Sequence, residues 1–301
     1  MTNNFPLTKK KEKWVSNRET TIRGTKLMYN VSQQERYTKA LNKLISQMTG
    51  ETLRSVNRLF HGVISEEFFK QQKEASAIDS YAMDGSISSK ARILMNALTN
   101  KFSMLFASKA TSLAEMMFNG ASAASKTTLH ESLKKLSGGL SLNTGVVPKG
   151  MEDVAKATIA ENVSLIKSIP EEYLKNVTGA VMRSITVGQG IADLIPQIQK
   201  FDGQTERRAK NLALDQTRKA YNTINKQRMQ ATGVKQFEWV HSGGSQFPRK
   251  SHLDILNGKI FSFEHLEAEQ AALGVPPADR GLPGMPVNCK CTILPIIDFN
   301  D

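Results

Sequence analysis

Cysteine is scarce in this chain: 301 residues contain two, Cys289 and Cys291, separated by a single lysine. So small a number excludes the disulfide-stapled scaffold of small secreted domains and fits a reducing cytoplasm. Long hydrophobic runs are also lacking. No stretch approaches the ~18 uninterrupted apolar residues of a membrane span, and the opening "MTNNFPLTKKKEKW" has no apolar run of the kind a secretory signal needs. A soluble protein with no membrane partner is expected. Acidic residues are the minority, 28 against 40 Lys plus Arg, which leaves a net charge of +12. That imbalance points to an acidic partner such as nucleic acid, or to no more than a lysine-rich surface. No glycine-rich phosphate loop, HExxH helix or Ser-His-Asp signature is present, so the chain is read as a non-enzyme.

What is there is mostly helix. From about Gln33 to Thr232 the dominant period is helical, and the expected fold class is α+β, mainly α: an elongated helical N-terminal body followed by a small C-terminal α+β module. Residues 1–32 read as a basic, flexible arm and 33–204 as the body. The glycine-rich stretch "SGGLSLNTGVVPKG" marks a hinge near 137–150. Leu94, Leu98, Phe102, Leu105 and Phe106 form an apolar stripe continuing to Leu113, Met116 and Met117, and Asn119-Gly120 is expected to stop that helix. A second boundary is expected at "KFDGQT", where Asp202-Gly203 reads as a turn and Thr205 as the cap of a helix from Glu206 to about Thr232, closed by Gly233. Beyond it "KQFEWVH", "GKIFSF" and "VNCKCTILPII" read as strands, the middle one preceded by the turn-forming Asn257-Gly258.

The chemistry concentrates in this last part. In an extended strand Cys289 and Cys291 would present both sulfurs on one face, with Lys290 opposite. His241, His252 and His265 lie upstream, and His plus Cys is the ligand set that zinc prefers. His252, Cys289 and Cys291 are the candidate metal ligands and zinc the candidate cofactor. The spacing is not a standard zinc pattern, and two buried thiols in a small β core is the plain alternative. Arg249 and His252, three apart, are placed to face a common carboxylate or phosphate, with a structural salt bridge the blander reading. Asp254 and Glu264-His265 are residue types suited to acid–base work but common on any polar loop.

The order of these features resembles the phage Mu F-like head morphogenesis, or minor head protein, family. The resemblance rests on "LALDQTRKAYNTINKQRMQATGVKQFEWV", "PRKSHLDILNGKIFSF" and "PGMPVNCKC". Asp215, Gln216 and Thr217 match its first element and Gly233 and Trp239 its second. Arg249, His252, Gly258 and Phe261 match the third, and Pro283, Gly284, Asn288, Cys289 and Cys291 complete it. Lys290 stands where the family has arginine, and "VHSGGSQFPRKSH" replaces an acidic lead-in to His252. The match makes 205–301 the Mu F-like module.

The resemblance implies a minor structural protein of a tailed-phage head, acting in procapsid assembly next to the portal and contacting packaged DNA or leaving with it. Portal protein, major capsid or scaffolding protein and double-stranded DNA are the implied partners. The implied location is the head interior of the virion, after assembly in the host cytoplasm. The alternative is an enzyme or toxin-like effector acting on nucleic acid or nucleotides through the C-terminal Arg/His/Cys module. For DNA the candidate contacts are Lys9, Lys10 and Lys11 with Arg207, Arg208 and Lys210. The basic run that continues to Arg218, Lys219, Lys226 and Arg228 falls on several helix faces, which suits nonspecific phosphate contact better than groove reading.

Overall fold

The computed structural model describes residues 21–75, 85–136, 148–244 and 247–298. Lys9, Lys10 and Lys11 and most of the expected hinge at 137–150 lie outside the described residues. The expected class is observed: long helices and a small antiparallel sheet. The long helices are α1 (Val31–Phe60), α3 (Ile87–Leu136), α4 (Met151–Val187) and α5 (Ile191–Ala231), and α2 (Glu66–Ala75) and α6 (Leu266–Ala272) are short. The strands are β1 (Thr21–Arg23), β2 (Gln236–Val240), β3 (Ile260–Ser262) and β4 (Thr292–Asp298), in the order β1-β4-β2-β3.

The chain divides into two compact units, neither a single stretch: one holds 1–29, 125–149 and 222–301, the other 30–124 and 150–221. Within the second unit, α1 starts at Asn30, whose side chain accepts the Ser32 backbone N–H at 2.9 Å, an N-cap that satisfies one of the helix's orphan donors. Tyr37, Leu41, Ile45, Met48, Val56 and Leu59 are its buried row. The Tyr37 hydroxyl donates to Asn162 Oδ1 of α4 at 2.6 Å in the buried interior, so the aromatic is buried without orphaning its polar end.

The stripe on α3 is only partly as the sequence reads it. Leu94, Leu98, Phe102, Phe106 and Met117 are buried, joined by Ala110 and Ala114, whereas Met116 is 38% exposed. The row steps by four from Leu98 to Ala114, and the alanines belong to it by position although their side chains give little hydropathy signal. Two expected breaks are corrected. The helix α3 runs through Asn119-Gly120, because its buried face continues past the pair: Met117 and Phe118 before it and Ala121 after it are all buried. Likewise α5 passes through Asp202-Gly203. Thr205 caps nothing; its hydroxyl donates back to Phe201 O at 2.9 Å, and Leu194, Ile198, Ala209 and Ala213 keep one buried face across the expected turn. Gly233 does end α5, at φ 82°, where a side chain would be strained.

In the unit that holds the sheet, β4 is an inner strand, paired with β1 through Ile22↔Ile297 and with β2 through Trp239↔Ile293. An inner strand ordinarily excludes proline. Pro295 is tolerated because the carbonyl it turns toward β1 accepts from Gly24, just past the end of that three-residue strand, so the N–H it lacks faces no strand partner. The segment expected to be a flexible arm is therefore, from Thr21 to Tyr29, built into the structure. Leu27 N donates to Ile293 O at 2.8 Å, Thr292 Oγ1 donates to Leu27 O, and Ser132 of α3 bonds both the N–H and the carbonyl of Thr25. Leu27 itself is fully buried. Leu27→Ala is expected to lower stability by about 2–4 kcal/mol through lost transfer energy and a residual cavity, read by urea unfolding followed by tryptophan fluorescence. A change below about 0.5 kcal/mol, the usual size at an open surface position, would show that this segment does not dock.

Candidate functional site

The site lies between the end of β2 and the start of β4. After Val240 the chain leaves the sheet and returns as a π-helical turn, Ser251–Leu256, which buries Ser251, His252 and Leu256 and leaves Leu253 and Asp254 outside. A 3-10 turn, Pro277–Asp279, follows α6. Asp279 is the anchor. Its carboxylate takes Arg249 Nε at 2.8 Å and the Ser251 hydroxyl at 2.6 Å, and its backbone carbonyl takes His252 Nε2 at 3.0 Å. Arg249 also donates through Nη2 to Val287 O at 2.8 Å. Arg249 and His252 thus face one aspartate, as their spacing allows, through a residue that sequence reading missed. No local pattern ties position 279 to 249; only α6, folded between them, does.

That carbonyl fixes the imidazole. It can only accept, so Nε2 carries a proton, and in the neutral imidazole the lone pair is left on Nδ1, facing the sulfurs. Nδ1 lies 3.5 Å from Cys289 Sγ and 3.7 Å from Cys291 Sγ. The two cysteines do share one side, but they precede β4 instead of lying in it. Turns place them: Met285 N donates to Leu282 O and Cys289 N to Pro286 O, while Asn288 sits at φ 59°, a left-handed conformation that asparagine tolerates better than most residues. Gly284 N–H donates to Cys289 Sγ at 3.3 Å, and Asn222 Nδ2 of α5 holds Pro283 O at 2.6 Å. Trp239 closes the back, its ring edge-on to His252 at 5.0 Å.

The electrostatics follow from that contact. The Cys289 thiol is held down to about 4, first by the hydrogen bond from Cys291, with His252 and the Gly284 N–H adding to it against the cost of burial. Cys291 is pushed up for the reciprocal reason and by burial, while the Trp239 indole opposes. The pair behaves as one thiol that ionises readily and one that resists. Burial works to lower the His252 pKa, but the Cys289 sulfur and the Asp279 carbonyl and charge together leave it raised.

His252, Cys289 and Cys291 line a cavity of about 370 Å³ together with His241, Phe247, Arg249, Val287 and Lys290. Phe247 and Val287 stand at its edge, 85% and 62% exposed. His241 is engaged by the Gly243 N–H through Nδ1, and His265, Glu264 and Asp254 are exposed; none joins the His252 cluster, the group of three potential ligands found among the described residues. Lys290 turns away to Gly244 O at 2.6 Å.

Asp215, Gln216 and Thr217 belong to the other unit. Asp215 pairs with Lys219 at 3.0 Å and Gln216 donates to Glu161 of α4 at 3.1 Å, so the resemblance's first element is a packing element of α5. Of the candidate DNA contacts, Arg207 and Lys210 are exposed, whereas Arg208 is held by Glu172 at 3.0 Å and by Ser168. Further along the run Arg218 and Arg228 are buried.

Residues 175–294 match the family described as Phage Mu protein F like protein. The resemblance is borne out over that segment, which begins upstream of Glu206, within α4, and contains the whole His252 site. A Haemophilus influenzae protein carrying the description "Uncharacterized protein" is 34% identical over 145 residues. That stretch is 48% of this chain and 30% of the relative, so the chain covers less than a third of that protein's length. No solved structure matches the chain. The matched segment is less than half of the chain. Among the described residues no helix is long and apolar enough to cross a membrane.

The Asp279 clamp gives the Mu F-like segment a measurable signature. Arg249→Ala and Asp279→Ala are each expected to cost about 1–2 kcal/mol, and their double-mutant cycle to give a coupling near 0.5–1 kcal/mol, the scale of a half-exposed pair. Additive losses in urea unfolding would mean that the pair does not anchor the π-helical turn.

Proposed function

We propose that the protein is a minor structural component of a tailed-phage head that acts in procapsid assembly beside the portal. The observation that carries this reading is the Mu F-like match across residues 175–294. The fold supports it. Its long helices and small sheet make two compact units, an architecture that suits a structural component. Portal protein is the partner proposed first, with capsid or scaffolding protein second and the virion as the final location.

The test is assembly. The protein co-expressed with the portal, scaffolding and capsid proteins of the same phage is expected in purified procapsids at few copies relative to the shell and to pull down with the portal. Its absence from particles, or heads that assemble and fill with DNA equally well without its gene, would overturn the proposal.

Contact with packaged DNA is a second part of the proposal, supported by the net charge of +12 and the exposed Arg207 and Lys210. Binding of double-stranded DNA without sequence preference is expected, falling on the order of ten- to a hundredfold between 50 and 200 mM salt if about two to four phosphates are neutralised. No binding at low salt would remove this part.

A further inference from the structure

We propose that His252, Cys289 and Cys291 hold one zinc ion through Nδ1 and the two sulfurs, with solvent completing the tetrahedron on the cavity side. The inference does not depend on the head-assembly reading. Zinc bonds of about 2.0–2.1 Å to nitrogen and 2.3 Å to sulfur place a tetrahedral N···S edge near 3.5–3.6 Å. The observed separations are 3.5 and 3.7 Å, and all three donor atoms lie within 4.8 Å of one another.

Three further observations fit a ligand set better than a packed pair of thiols. His252 is already oriented as ligating imidazoles are, its far nitrogen donating to a backbone carbonyl, that of Asp279, which leaves Nδ1 open to a metal. A backbone N–H, from Gly284, is aimed at Cys289 Sγ, the contact that stabilises a metal-bound thiolate. The third is the buried Trp239 Nε1–H, which makes no well-formed hydrogen bond but lies on the Cys291 side of the cluster, where it favours the charged sulfur. A buried N–H donor beside a sulfur is better satisfied by a thiolate than by a neutral thiol. On binding, whatever protons remain on Cys289, Cys291 and His252 Nδ1 pass to solvent, the two thiolates and the neutral imidazole donate their electron pairs, and no redox change is needed. Such an ion fastens the π-helical turn to the loop that enters β4. The fourth position falls to the cavity that His241, Arg249 and Lys290 line together with the three ligands.

The test uses the full chain. Metal analysis by mass spectrometry after expression without chelator is expected to give about one zinc per chain, and Cys289→Ser/Cys291→Ser none. Cobalt(II) added to the zinc-stripped wild type reports independently of whether the variant folds: thiolate-to-cobalt charge transfer and tetrahedral d–d bands are expected, displaced by zinc. Zinc is expected to raise the thermal midpoint by about 5–10 °C at a hundredfold excess over its Kd. His241→Ala retains the metal if solvent is the fourth ligand; loss of zinc in this variant overturns the three-ligand assignment. Wild type that neither carries zinc nor gives the cobalt–thiolate band overturns the site altogether.

Discussion

The unit that contains the site depends on the two-sided pairing of β4. An inner strand must satisfy backbone groups on both edges, and β4 does so with segments from opposite ends of the chain, β2 after the helices and β1 before them. Once β4 is fixed by both, the residues that lead into it have little freedom. The turns from Leu282 to Cys289 form a short loop, and two residues, Gly284 and Asn288, take positive φ to complete it. The cysteines are where they are because the loop has to meet an immobile strand.

Asp279 performs the matching task from the other side. One residue collects Arg249, Ser251 and the imidazole of His252, and Arg249 reaches on to Val287 in the cysteine loop. Both the carboxylate and the backbone carbonyl of a single residue are used, so the π-helical turn is held in position and in rotation together. A turn held by only one of these contacts would leave the ring free to rotate about its bond to the chain. Acceptance by a carbonyl also sets the tautomer, which makes the difference between a histidine that packs and one that can ligate.

Much of this was legible from residues alone. The helical body, the three C-terminal strands, the cap at Gly233 and the pairing of a histidine with the two cysteines as candidate ligands follow from periodicity, turn chemistry and residue type. The helix breaks at Asn119-Gly120 and Asp202-Gly203 were misread for one reason: Asn-Gly and Asp-Gly are breakers only where no buried face continues past them, and continuity of burial is a tertiary property. The edge strand at Thr21–Arg23 was missed because three residues carry too short a pattern, and the basic residues before them weigh the segment toward an arm.

The sequence by itself determined the menu: where helices can run, which strands can pair, and which side chains are able to hold a metal or a phosphate. These depend on spacing along the chain, and spacing is local. Only the tertiary structure decided which of three histidines meets the sulfurs, that Asp279 is the anchor, and that the chain's beginning closes the sheet formed by its end. Each of those depends on residues far apart in sequence being brought within a few ångströms by the burial of faces, and no local pattern encodes the partner across that distance.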